Sequence, residues 1–364
     1  MTQGRLSWLG ALASLTALLG LSAPANALPV FAHRYGFSCE ACHTIVPQLN
    51  RFGQLFLAAG YRLPSQVERR GTFPVAVKFN VQYSSANGPQ LPPLILDELE
   101  FLSAASVSHN LSYRLEQYAV DGGLPGRTRD AWLMYANPAA FARNGLSLRL
   151  TAGQFTLPLP IDPETQRPTQ NHYAIFDQRV GANPFDFFDD RIGLDVAYGD
   201  RRSIDVHALA LKGHDPASGL PTKDLDGMLV AQRDTGAITW TGYGYWGQRP
   251  LGLFSDHFVR DGIGAMMLTD RAELDVLGQT GFDSSVDGFG HSARSSGGFL
   301  QTWWWFTPRF VNVMRFDFAS DGLSGQSHSL TASLIYRPYR NARLTLEDVI
   351  GVGHALNAAW LFAY

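Results

Sequence analysis

From residue 72 onward, apolar side chains recur at every second position, and this period restricts most of the chain to β-strands. Phe73, Val75, Val77, Phe79, Val81 and Tyr83 are apolar, while most residues between them are small or polar. Such alternation gives a strand one apolar and one polar face. Further on, Ile238, Trp240 and Trp246 share one parity, with Tyr243 and Tyr245 on the other. At the end, Leu356, Ala358, Trp360, Phe362 and Tyr364 alternate with Asn357, Ala359, Leu361 and Ala363. About sixteen such segments follow one another, from 72–86, 94–107, 111–120 and 128–136 to 326–337, 342–351 and 355–364.

The connections alternate in length. Long ones fall at 84–93, 121–127, 158–188, 213–224 and 281–294, and short ones at 109–110, 200–202, 235–236, 270–271, 308 and 338–341. Long loops on one rim and tight turns on the other are expected of an outer-membrane antiparallel β-barrel. An even strand count puts both barrel ends at the short-turn, periplasmic rim. A soluble propeller would show an internal repeat, and a sandwich this large would divide at a linker; neither is visible. Trp303, Trp304, Trp305 and Trp360 are expected in the aromatic girdles. A net charge of −3 gives no electrostatic footprint for nucleic acid.

Residues 1–27 read as a signal peptide. Arg5 precedes an apolar run from Trp8 to Leu21, and Ala25-Asn26-Ala27 is a small-x-small cleavage site that leaves Leu28 first. The run is short for a spanning helix and ends at Pro24. The mature chain then divides into a segment at 28–71 and the barrel at 72–364. In 28–71, Val46, Leu49, Phe52, Phe56 and Leu57 lie at helical spacing between Ile45 and Tyr61. A piece this small needs a cofactor or a neighbouring surface for stability.

That segment holds the only two cysteines of the 364 residues, in the string Cys39-Glu40-Ala41-Cys42-His43. Cys-x-x-Cys-His is the attachment pattern of one covalent haem c: Cys39 and Cys42 form the thioethers and His43 is the axial ligand of the iron. A zinc site would need a second ligand pair at short spacing, and a redox dithiol a βαβ context; both are absent.

The haem string sits between Phe31-Ala32-His33-Arg34-Tyr35-Gly36 and Val46-Pro47-Gln48-Leu49-Asn50, with Gly53 beyond. Followed by a barrel, this order resembles the fused monohaem cytochrome–porins, which include outer-membrane iron-oxidising cytochromes. The resemblance implies a small helical haem segment in or at the lumen, on the periplasmic side or inside the barrel. It also implies electron transfer from extracellular Fe(II) to a soluble periplasmic cytochrome or other carrier, an iron:cytochrome c oxidoreductase activity. An outward conduit to an external acceptor, and a porin with a structural or sensory haem, are the alternatives.

The second axial ligand stays open. No Met lies between Leu28 and Gly71, so His33 is the candidate within the segment, and Met134 or His207 would serve from the barrel. Asp162, Glu164, His172, Asp177, Asp186, Asp189 and Asp190 gather in and beside connection 158–188. Oxygen-rich clusters suit Fe(II), although a solvated polar loop explains the same residues.

Overall fold

The computed structural model describes residues 30–63, 75–88, 91–137, 147–163, 166–199, 204–215, 220–351 and 353–363, with the backbone alone at 32, 33, 214, 215 and 220. The expected signal peptide at 1–27 and the turn expected at 200–202 lie outside the described residues.

The N-terminal segment contains α1 (Val30–Tyr35), α2 (Cys39–Cys42), a hairpin of β1 (His43–Ile45) and β2 (Gln48–Leu49), and α3 (Arg51–Ala58). The helix expected from Ile45 therefore begins only at Arg51. Pro47 cannot donate in a helical ladder, and the chain instead pairs His43 with Leu49 and Ile45 with Gln48.

The barrel begins with β3 (Val75–Ser84), β4 (Leu94–Ser106), β5 (Leu111–Asp121), the two-residue β6 (Leu124–Pro125), β7 (Thr128–Ala136), β8 (Ser147–Phe155) and β9 (Arg191–Gly199). It continues with β10 (Ile204–Asp215), β11 (Leu220–Asp234), β12 (Ile238–Leu251), β13 (Phe254–Leu268) and β14 (Ala272–Asp283). The last strands are β15 (Ala293–Thr307), β16 (Phe310–Ser320), β17 (Gln326–Tyr339), β18 (Ala342–Ile350) and β19 (His354–Ala363). Among the described residues this is a closed antiparallel barrel of 16 strands, β6 being the tip of the β5–β7 hairpin. Sequential neighbours pair throughout, and β19 closes on β3 from Asn357↔Ser84 to Ala363↔Lys78.

Polarity is inverted relative to a water-soluble core. On β9, Ile192, Leu194, Val196 and Tyr198 face outward and are exposed, whereas Arg191, Asp195 and Ala197 are buried. Trp240 and Trp246 likewise point out, and Tyr243 and Tyr245 point in. The interior carries ion pairs: Arg114–Asp130 at 2.7 Å, Arg249–Asp226 at 2.7 Å, Arg260–Asp283 at 2.9 Å and Arg315–Asp317 at 2.6 Å. Full backbone pairing with an apolar exterior is what a hydrocarbon surround demands.

Two expectations are corrected. The long loop expected at 213–224 is largely strand, since β10 runs to Asp215 and β11 starts at Leu220. Of the tryptophan run, only Trp304 is outward, at 52% exposure. Trp303 is fully buried, stacks on Trp305 at 6.0 Å, and donates its indole N–H to Asp275 at 3.1 Å. Adjacent strand positions must face opposite ways, so three consecutive tryptophans cannot share one girdle.

Leu194→Arg places a charge mid-strand on the outer face and should destabilise the barrel by about 2–4 kcal/mol. Leu253→Arg, at a connection where Leu253 is 83% exposed, should not. Heat-modifiable migration on gels, read across a urea series, checks both.

Candidate functional site

Residues 30–63 occupy the short-turn mouth of the barrel and touch its wall on many sides. Ile45 packs with Trp303, Val311, Val313 and Ile335 in a fully buried cluster; burying one such side chain is worth about 1.5–3 kcal/mol. Tyr61 stacks on Trp132 at 6.1 Å, and its carbonyl accepts the Tyr35 hydroxyl at 2.7 Å. Gln48 donates to Glu273 at 3.2 Å, and Arg337 donates to the Thr44 carbonyl at 3.1 Å. Arg51–Asp234 at 3.3 Å and Glu40 with Arg337 and Arg340, at 3.7 and 3.6 Å, fasten the rim. These exposed pairs orient the plug more than they stabilise it.

The residues after the cysteine string build its support. Asn50 caps α3 by accepting from the Gly53 N–H at 3.0 Å. Its amide nitrogen donates to the carbonyls of Glu40 and Ala41, both at 3.1 Å, and its backbone N–H donates to the Cys42 carbonyl at 2.8 Å. Gly53 faces the same carbonyl so closely that a Cβ there would lie 2.2 Å from the Cys42 oxygen. Phe31, Tyr35, Phe37, Phe52, Phe56 and Tyr61 enclose the segment with ring contacts between 4.5 and 6.2 Å.

Cys39 and Cys42 lie on the single turn of α2, Cys39 buried and Cys42 half-buried, with no disulfide between them. Burial pushes the Cys39 thiol up and that of Cys42 up to about 11. A redox dithiol needs the opposite shift. His43 Nδ1 lies 3.0 Å from the Pro47 carbonyl. A proton donated there leaves the lone pair on Nε2, as an axial imidazole requires. Burial pushes the ring below the usual histidine range. Two thiols on one turn and an imidazole oriented by the Pro47 carbonyl fit covalent haem c as a donor set. Among the described residues, no group of three or more His, Cys, Asp or Glu could hold a separate metal ion.

The other candidates fall differently. His33 lies in α1, and its side chain is outside the described residues. Met134 is buried on the wall of a cavity of about 190 Å³, shared with Leu57 and Ala58 of α3. His207 lines that cavity too, facing inward as its parity indicates, but is unavailable as a ligand: Nδ1 lies 2.9 Å from Asp195 and Nε2 3.2 Å from Asp205.

Among its described residues, connection 158–188 is mostly buried or half-buried rather than solvated, and no group of three or more His, Cys, Asp or Glu there could hold a metal ion. The connection folds into the lumen. Asn171 donates to Thr331 at 3.0 Å, Arg315 donates to the His172 carbonyl at 2.6 Å, and Asn183 donates to Asp256 at 2.7 Å. Asp186, Asp189 and Asp190 pair with Arg179, Arg127 and Arg129, and Asp177 with His172. Glu164 lies outside the described residues. The sequence signal missed earlier was the arginines at 127 and 129, whose partners come from a loop some sixty positions away.

No family model and no curated protein sequence matches the chain. Solved structures do. An anion-selective porin from Comamonas acidovorans aligns with a TM-score of 0.60 at 10% identity, over 80% of this chain and 98% of that one. The outer-membrane channel DcaP of Acinetobacter baumannii gives 0.54 at 13% identity, over 80% and 96%. Salmonella typhi OmpF in complex with daunomycin gives 0.58 at 9% identity, over 80% and 96%. The fold of the barrel is that of porins.

Gly53→Ala and Asn50→Ala should both loosen the plug. Loss of the cap alone costs about 1 kcal/mol, and the glycine change forces α3 off the Cys42 carbonyl. Limited proteolysis of folded protein should cut within 30–63 faster in either variant, with the barrel fragment intact.

Proposed function

We propose that this is an outer-membrane electron-transfer protein, carrying electrons from extracellular Fe(II) to a soluble periplasmic carrier, with one haem c attached at Cys39 and Cys42 and ligated by His43. The observation that carries the reading is the Cys-x-x-Cys-His turn lodged in the short-turn mouth of a closed barrel. When bound, the haem supplies a one-electron couple. The chain's residues would hold it in place: Pro47 orients the imidazole, Asn50 and Gly53 brace the cysteine turn, and Trp303 and Trp132 seat the plug on the wall. The apolar outer band and the porin fold support an outer-membrane location. A porin with a structural haem draws on the same fold likeness, whereas the plug and the inward loop, both lodged in the lumen, favour a housing over an open channel.

We retain His33 as the proposed second axial ligand, because His207 is committed to two carboxylates. His33→Ala should convert a low-spin haem spectrum to high-spin, with recovery on adding imidazole. An unchanged spectrum would move the assignment to Met134.

For the activity, protein reconstituted in vesicles should let external Fe(II) reduce an enclosed cytochrome c. His43→Ala should abolish this while the barrel still assembles. Equal rates in the two would mean that the barrel leaks and that the haem is structural.

A further inference from the structure

A second cavity, of about 250 Å³, lies between the plug, the inward loop and the wall, touching Pro47, Arg167 and Arg343. Arg343, on β18, is 5% exposed, and its Nε and Nη1 have no hydrogen-bond partner. Arg167, on the loop, donates through Nη1 to the Gln170 carbonyl at 2.8 Å, but its buried Nε is likewise unmatched. Two guanidinium groups thus share one cavity with unmet donors.

Three nearby carboxylates have hydrogen-bond or ion-pair partners other than these two arginines. Glu98 pairs with Lys78 at 3.4 Å, and Asp97 accepts from Asn80 at 3.0 Å. Glu347 accepts from the backbone of Gln170 and Asn171 at 2.9 and 2.7 Å and from Ser333 at 2.7 Å. Asp121 also reaches the cavity, from the end of β5. The other cations on the wall are matched, Lys78 by Glu98 and Glu100, and Arg129 by Asp190. Glu98 and Glu347 act on Arg343 through space, but its buried Nε and Nη1 still lack hydrogen-bond partners, and the planar fork of a guanidinium matches carboxylate and phosphate oxygens.

We propose that this cavity binds an oxyanion or carboxylate group between Arg343 and Arg167. Two sources have this chemistry: a free inorganic anion entering the lumen, or the propionates of the haem carried by the neighbouring plug. The second source rests on the haem reading above, and the first does not.

The test is calorimetric titration of the full-length protein in micelles with inorganic phosphate, for wild type and Arg343→Met, each first shown to be folded by heat-modifiable migration. A free-anion site predicts binding to wild type and at least a roughly tenfold loss in Arg343→Met, the scale of one charged hydrogen bond. A propionate site predicts no phosphate binding to the haem-loaded protein, and a shift of the propionate bands in the resonance Raman spectrum of Arg343→Met. Equal phosphate binding by the two proteins, or no binding together with unshifted Raman bands, would overturn the proposal. Absence of haem would itself remove the reading on which the second source rests, and the phosphate titration would still decide the first.

Discussion

A strand inside hydrocarbon has no water to satisfy its backbone, so every N–H and C=O must find a partner on a neighbouring strand. The pairing of β19 with β3 meets that demand by removing the last sheet edge. Everything else follows from closure. The outer face must be apolar and the inner face can carry charge, so the ion pairs of Arg260 with Asp283 and Arg315 with Asp317 lie inside. A ring of 16 strands also encloses more space than its own side chains fill.

This chain fills that space from two directions. Loop 156–190 enters as a folded piece with its own aromatic core: Tyr173 stacks on Phe299, and Phe185 lies against Tyr245. From the short-turn mouth, the N-terminal segment enters as a plug too small to fold alone. Its stability is borrowed from the wall, through Ile45 against Trp303 and Tyr61 against Trp132. The barrel thereby fixes the position of the Cys39–Cys42 turn.

The strands were legible because a membrane barrel writes its two environments directly into residue parity: β3, β9 and β19 need no partner to be read. The cysteine string was legible because its residues are consecutive, and the structure keeps both thiols on one turn. What was hidden depends on distant partners. Residues 45–49 look helical by apolar spacing, but Pro47 and the pairing of His43 with Leu49 make a hairpin. Trp303 reads as a girdle residue until Asp275 and Ile45 are seen beside it. Asp186, Asp189 and Asp190 resemble part of a cation site in sequence, and become arginine partners only once the loop has folded inward.

The account turns on whether the plug carries covalent haem. The intact mass of the purified, exported protein tests this most directly. A mass equal to the chain beginning at Leu28 plus one haem is predicted, together with its reduction to the bare-chain mass in a Cys39→Ala, Cys42→Ala variant. A wild-type mass equal to the bare chain, with both thiols free to alkylate, would contradict it.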